Sequence, residues 1–157
     1  MENPENWQTL HNALRDSLER EIRLTRELLS NMHQEEVSLM LHDAGSLNQI
    51  LQMRSPMLET LSALRLNRQK TTEKIRKMAS NEDQTASLDE ILPPDEAISL
   101  EILSLSDQLM ALTERMSRQH THNQRLTDHL SLTGNAQPSA QNRPKRKASI
   151  ATINIIK

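Results

Sequence analysis

The stretch from Ile98 to Thr133, "ISLEILSLSDQLMALTERMSRQHTHNQRLTDHLSLT", decides how the rest of the chain is read. It contains neither glycine nor proline, and its Leu, Arg, Glu and Gln are good helix formers. "PPDE" precedes it, a proline start with acids for the positive end of a helix dipole, and Gly134 follows as a stop. Its seam keeps strict heptad spacing through Ile102, Leu105, Leu109, Leu112, Met116, Gln119, Asn123, Leu126 and Leu130. Such a seam requires a partner helix, in this chain or in another.

Gln119 and Asn123 place amides where the pattern asks for Leu or Ile. A lone amide at a seam position fixes register or partner number at some loss of stability, and Asn123 can be read that way. Two consecutive amides, with His120 and His122 beside them, weaken the seam further. On the second reading the apolar half is packed at home and the polar half is available to a partner helix, as in helix-in-groove recognition. That reading makes Leu109, Leu112, Met116, Gln119, Asn123, Leu126 and Leu130 the candidate partner-binding residues.

Composition sets the class. With 35% apolar residues, one Trp and no Phe or Tyr, any core is built of Leu, Ile and Met. Two glycines and six prolines leave little material for turns, so the expectation is an all-α, elongated protein. The N-terminus lacks a basic start followed by an apolar run, and no stretch approaches the roughly 20 apolar residues of a membrane span. A cytoplasmic protein without stable membrane insertion is expected.

Working toward the N-terminus, Trp7, Leu18, Leu29 and Met40 recur every eleventh position, and Leu10, Leu14, Ile22, Leu28, Met32 and Leu39 fill the same face. A period near 3.67 predicts an almost straight helix from Pro4 to about Leu41. Asp43 offers an N-cap and Gly45 a weak point before a second apolar series from Leu47 to Met78, so a helical hairpin is the economical reading. Pro56 should kink or split the second helix near Arg54. Arg54 and Arg68 interrupt that helix's apolar face, and their stems are expected to cover the core edge while their guanidinium groups reach water. The spacing of Ser87 and Glu90 suggests a capping box on one short helical turn within a hinge. The expected divisions are a hairpin over 1–79, a linker over 80–95, an amphipathic heptad helix over 96–133 and a basic tail over 134–157, read as disordered.

Chemistry finds little support. There is no cysteine, no glycine-rich phosphate loop and no Ser-centred elbow motif, so an enzyme is not expected. No two of the six histidines stand at i, i+4, and no metal or other cofactor is expected. Residues 134–157 carry five basic side chains and no acid, while residues 1–133 carry 14 basic and 21 acidic ones, a net of −7. Without aromatics to stack on bases, that tail does not suffice for nucleic acid.

The order of features resembles the FlgN family of bacterial flagellar export chaperones. The resemblance runs through "HQEEVSLMLHDAGSLNQILQMRSPMLETLSALRLNRQ", then "RQHTHNQRLTDHL", then "KRKASIATINI". Family positions match Glu35, Glu36, Asp43, Leu47, Arg54, Leu58, Leu61 and Arg68, and an Asn followed by Leu three places later matches Asn123 and Leu126. The resemblance implies a chaperone for the hook-filament junction proteins FlgK and FlgL, whose C-terminal amphipathic helix captures a helical segment of the substrate. Export-gate or ATPase-associated stalk proteins are further implied partners. Two alternatives stay open at this point: a coiled-coil stalk or escort component of a type III secretion system, and a structural homo-oligomer joined through the third helix.

Overall fold

The computed structural model describes residues 4–79 and 86–134. Three long helices dominate: α1 (Pro4–Met40), α2 (Ala44–Met78) and, after the short α3 (Leu88–Ile91), α4 (Ala97–Gly134). The described residues contain no strand, and the all-α class with a long N-terminal hairpin and a third long helix stands. The tail expected over 134–157 lies, beyond Gly134, outside the described residues.

The buried side of α1 follows a heptad. His11, Leu14, Leu18, Glu21, Thr25, Leu28, Met32 and Leu39 are buried, at alternating steps of three and four residues, with Glu35 filling the remaining place. The eleven-residue period is therefore corrected: Met40, one of its members, is 65% exposed, whereas polar Glu21 and Thr25 are fully buried. The 3.67 period followed apolar residues alone and missed the polar ones that hold seam positions.

α2 returns antiparallel on the same heptad logic, burying Ile50, Arg54, Leu61, Thr71 and Ile75. Two ion pairs set its register. Arg54 Nη2 lies 2.7 Å from Glu35, and Arg68 Nε lies 2.6 Å from the buried Glu21. The steps from 54 to 68 and from 21 to 35 are both two heptads, so both pairs close in one register, and a slip of one heptad would strand both carboxylates among aliphatic side chains. The Arg54 side chain, 9% exposed, thus turns inward, against the expectation that its guanidinium reaches water, while Arg68 stays 28% exposed as it pairs with Glu21. The carboxylates at seam positions of α1 explain why.

The turn between α1 and α2 also departs from the sequence reading. Asp43 does cap α2, its Oδ1 accepting from the Ser46 N–H at 3.0 Å. However, Gly45 sits inside the first turn of α2 with negative φ, and the left-handed residue is His42 at φ 55°. α2 also continues without a break through Pro56. Pro56 and Gln52, whose carbonyl loses its helical donor, are both exposed, so water can serve that oxygen instead.

α4 runs parallel to α1. Arg15 faces Glu101 near one end, and Glu36 faces His122 near the other. At the first end Leu14, Leu18, Ile75, Ile91, Leu92, Ile102, Leu109 and Leu112 form one buried cluster, which α3 seals. Ser87 N–H donates to Glu90 Oε2 at 2.9 Å, the capping contact that starts α3. A second cluster joins Leu28, Leu29 and Met32 of α1 to Leu61 of α2 and Met116 of α4. Burying one such Leu or Met stabilises by about 1.5–3 kcal/mol, so these layers anchor α4 along its first five turns.

Candidate functional site

Beyond Met116 the interface between α1 and α4 changes chemistry. α1 presents adjacent acids, Glu35 and Glu36, on the turn after Met32, and α4 presents Gln119, His122 and Asn123. Helical spacing of three and four puts those three on one side of α4.

Asn123 is buried at 1% exposure and fully satisfied. Its Nδ2 donates to the Met32 carbonyl at 2.7 Å and to Glu35 Oε2 at 2.8 Å. Its Oδ1 accepts from Gln119 Nε2 at 2.9 Å, and the same Nε2 donates to Glu36 Oε2 at 2.7 Å. His122 Nε2 lies 2.9 Å from Glu36 Oε1. The hydrogen bonds from Gln119, then those from His122, hold the Glu36 carboxyl below its usual pKa.

The network extends into α2. Glu35 Oε2 also accepts from Arg54 Nη2, while Arg54 Nε donates to Asn31 Oδ1 at 2.8 Å. Asn31 Nδ2 in turn donates to the Ile50 carbonyl at 3.1 Å. One layer of side chains therefore ties all three long helices together, in place of the apolar layer that a Leu at 123 would have formed.

Of the residues chosen from the seam, Leu109, Leu112, Met116 and Asn123 are buried, and Gln119, Leu126 and Leu130 are half-buried. The first three belong to the apolar clusters described above, and Gln119 and Asn123 belong to the polar layer. Leu126 and Leu130 join neither buried cluster. The seam faces α1 of the same chain along most of its length.

Asn31 and Glu21 were missed by sequence reasoning, yet a signal existed. Glu21 holds a seam place between Leu18 and Leu28 on a strict three–four spacing. A charged residue there demands an opposite charge on the partner helix.

Among the described residues no group of three or more His, Asp or Glu side chains is placed to hold a metal ion, and no helix is long and apolar enough to cross a membrane.

A family model described as "FlgN protein" matches residues 2–144. No curated protein and no solved structure matches the chain.

Proposed function

The chain belongs to the FlgN family of flagellar export chaperones, and from that premise we propose that it binds the hook-filament junction proteins FlgK and FlgL in the cytoplasm and delivers them to the flagellar type III export apparatus. The observation that carries the reading is the change of chemistry along α4. Its first half is anchored by Leu109, Leu112 and Met116, and its distal half is held by side-chain hydrogen bonds from Gln119 and Asn123. Hydrogen bonds of this kind, made to carboxylates, contribute a net of about 1.5–3 kcal/mol each, and a competing polar group or water can replace them. A helical segment of the substrate can thus exchange for the distal contacts while α4 stays attached through its apolar half.

Leu126 and Leu130 supply the apolar side chains that such a segment would cover, with Gln119 and Asn123 setting its register. Moderate affinity suits a delivery role, since each 1.4 kcal/mol of extra binding slows release about tenfold when it appears in the off-rate. No cofactor and no catalytic step enter this reading. A homomeric coiled coil through the α4 seam is less favoured, because α1 already occupies the buried side of that seam and would have to be displaced.

The test is co-expression of the full chain with a C-terminal helical segment of FlgK or FlgL, followed by light scattering on the purified material. A chain ending at Arg118, checked for helicity by circular dichroism, serves as control. A complex of defined mass that is lost on truncation supports the proposal. A complex that survives truncation moves the binding site off the distal part of α4, and absence of any complex with the full chain overturns the proposed partner.

A further inference from the structure

Charge is divided along α3 and α4. Residues 88–114 carry seven acids and no Lys or Arg, whereas residues 115–133 carry Arg115, Arg118 and Arg125 against the single acid Asp128. The cations thus gather on the half of α4 that side-chain hydrogen bonds hold to α1.

Two of them form a wall. Arg118, His122 and Arg125 stand at steps of four and three and so share one face of α4, where, with Ser117 and Thr121, they line a depression of about 310 Å³. Its charge is left uncompensated. Among the described residues no carboxylate pairs with Arg125, and Arg118 meets only Glu114, one turn earlier on the same helix at 3.4 Å, with both side chains more than two-thirds exposed. A pair of that kind contributes a few tenths of a kcal/mol at most. Glu36, the carboxylate of α1 that reaches His122, has both oxygens engaged, Oε1 by His122 and Oε2 by Gln119.

Apolar surface lies next to that wall. Glu36 and His122 face each other across parallel helices, so one turn further along Met40 of α1 and Leu126 of α4 flank the same groove. Met40 is 65% exposed and Leu126 half-buried. Uncovered apolar side chains beside two uncompensated arginines are complementary to a helix that has an apolar stripe and acids along one flank. Charges flanking an apolar seam decide which partner is accepted and in which orientation.

We propose that the helical segment captured on distal α4 carries two acidic residues one heptad apart, which face Arg118 and Arg125 while its apolar stripe covers Met40 and Leu126. Seven residues rise about 10.5 Å on either helix, so both pairs close together. The inference rests on the reading of distal α4 as the binding site, and it adds a selection rule to it. Long-range attraction would choose the opposite partner, because residues 1–133 carry a net of −7. A preference for acid therefore has to arise locally, at the two arginines.

The probes are three designed helical peptides that share one leucine stripe and carry Glu, Gln or Lys at two flanking positions seven residues apart, titrated into the full chain by fluorescence anisotropy. Affinity should fall from Glu through Gln to Lys, by about tenfold between the ends, and Arg118→Glu with Arg125→Glu should invert the order. Both sites are exposed, so the variant is expected to keep its helicity, which circular dichroism checks. Equal affinities, a Lys-first order or no binding by any peptide overturn the proposal. So does an acid preference that survives in the variant, which would belong to the basic residues 143–147 instead. The variant is also mixed with the FlgK and FlgL segments. Weakened binding supports the rule, and undiminished binding overturns it while leaving the chaperone reading intact. If neither segment binds the parent chain, the Glu-first order of the peptides still supports the rule and only the named partners fall.

Discussion

Asn123 of α4 and Arg54 of α2 donate to one and the same carboxylate oxygen, Oε2 of Glu35 on α1, at 2.8 and 2.7 Å. The amide that breaks the heptad seam is therefore the group through which α4 senses the hairpin's register. Its place next to the α1–α2 ion pair makes the layer cooperative, because each member orients the next.

Replacing Asn123 with Ala removes two donations and leaves Gln119 without one acceptor. The expected cost is about 1–3 kcal/mol, or roughly 3–10 °C in Tm for a chain of this size, read by thermal unfolding. The Gln119→Ala, Asn123→Ala double variant should lose less than the sum of the two single losses, since the pair shares a hydrogen bond. Strict additivity would show that the two amides act separately.

The buried Glu21 makes an asymmetric prediction. Its partners Arg65 and Arg68 retain 25% and 28% side-chain exposure, whereas Glu21 retains 1%. With Glu21→Leu both guanidinium groups can swing toward water, and the loss should stay within about 1 kcal/mol. With Arg65→Ala and Arg68→Ala together, the carboxylate is stranded and the loss should reach about 3–5 kcal/mol. Urea unfolding at neutral pH compares them, and equal losses would contradict the assignment of Glu21 as the dependent partner.

His11 gives the fold a pH dependence. Its ring is fully buried, tilted 59° against that of Trp7 with centroids 4.5 Å apart, and neither ring nitrogen has a hydrogen-bond partner. Burial lowers its pKa below 6.5, with the Glu96 carboxylate, 3.6 Å away, opposing that shift. The unfolded chain therefore takes up the proton first on acidification. This contribution is fully present above pH 6.5 and is lost as pH falls from there toward the folded pKa. Tm should begin to drop as pH falls through 6.5, and His11→Leu should flatten that drop. Glu36, shifted down by Gln119, acts in a separate window, losing its contribution only as pH falls below 4.5.

Pro56 is the cheapest place to strengthen the hairpin. Pro56→Ala restores a backbone donor to the Gln52 carbonyl within the unbroken α2 and removes the ring's clash with the preceding turn. Stability should rise by about 1–3 kcal/mol by urea unfolding, and a loss would mean that the proline's local geometry is required by the packing of α2 on α1.

The long helices and the seam of α4 were legible because apolar periodicity and capping residues act locally. Asp43 and the Ser87–Glu90 spacing ended up at the caps that their chemistry suggested. What stayed hidden was the polar part of the core. Glu21, Thr25 and Arg54 occupy seam positions, but a count of apolar residues passes over them, and only the meeting of Arg54 with Glu35 across two helices reveals that either belongs inside. The inward course of Leu109, Leu112, Met116 and Asn123 was legible from the heptad, whereas the α1 carboxylates that Gln119 and Asn123 meet could not be read from α4 alone.

The parallel course of α1 and α4 also fixes how the molecule responds to force. A load drawn outward at residue 134 separates α4 from α1 as a peel, loading one layer at a time rather than all of them in shear. The Asn123 layer comes under tension before the buried apolar layer at Met116. Rupture begins at groups whose hydrogen bonds water can take over, while the apolar half and α3 still hold the other end closed. A pull from the C-terminal side would thus open the chaperone's distal end at low force and leave the rest folded.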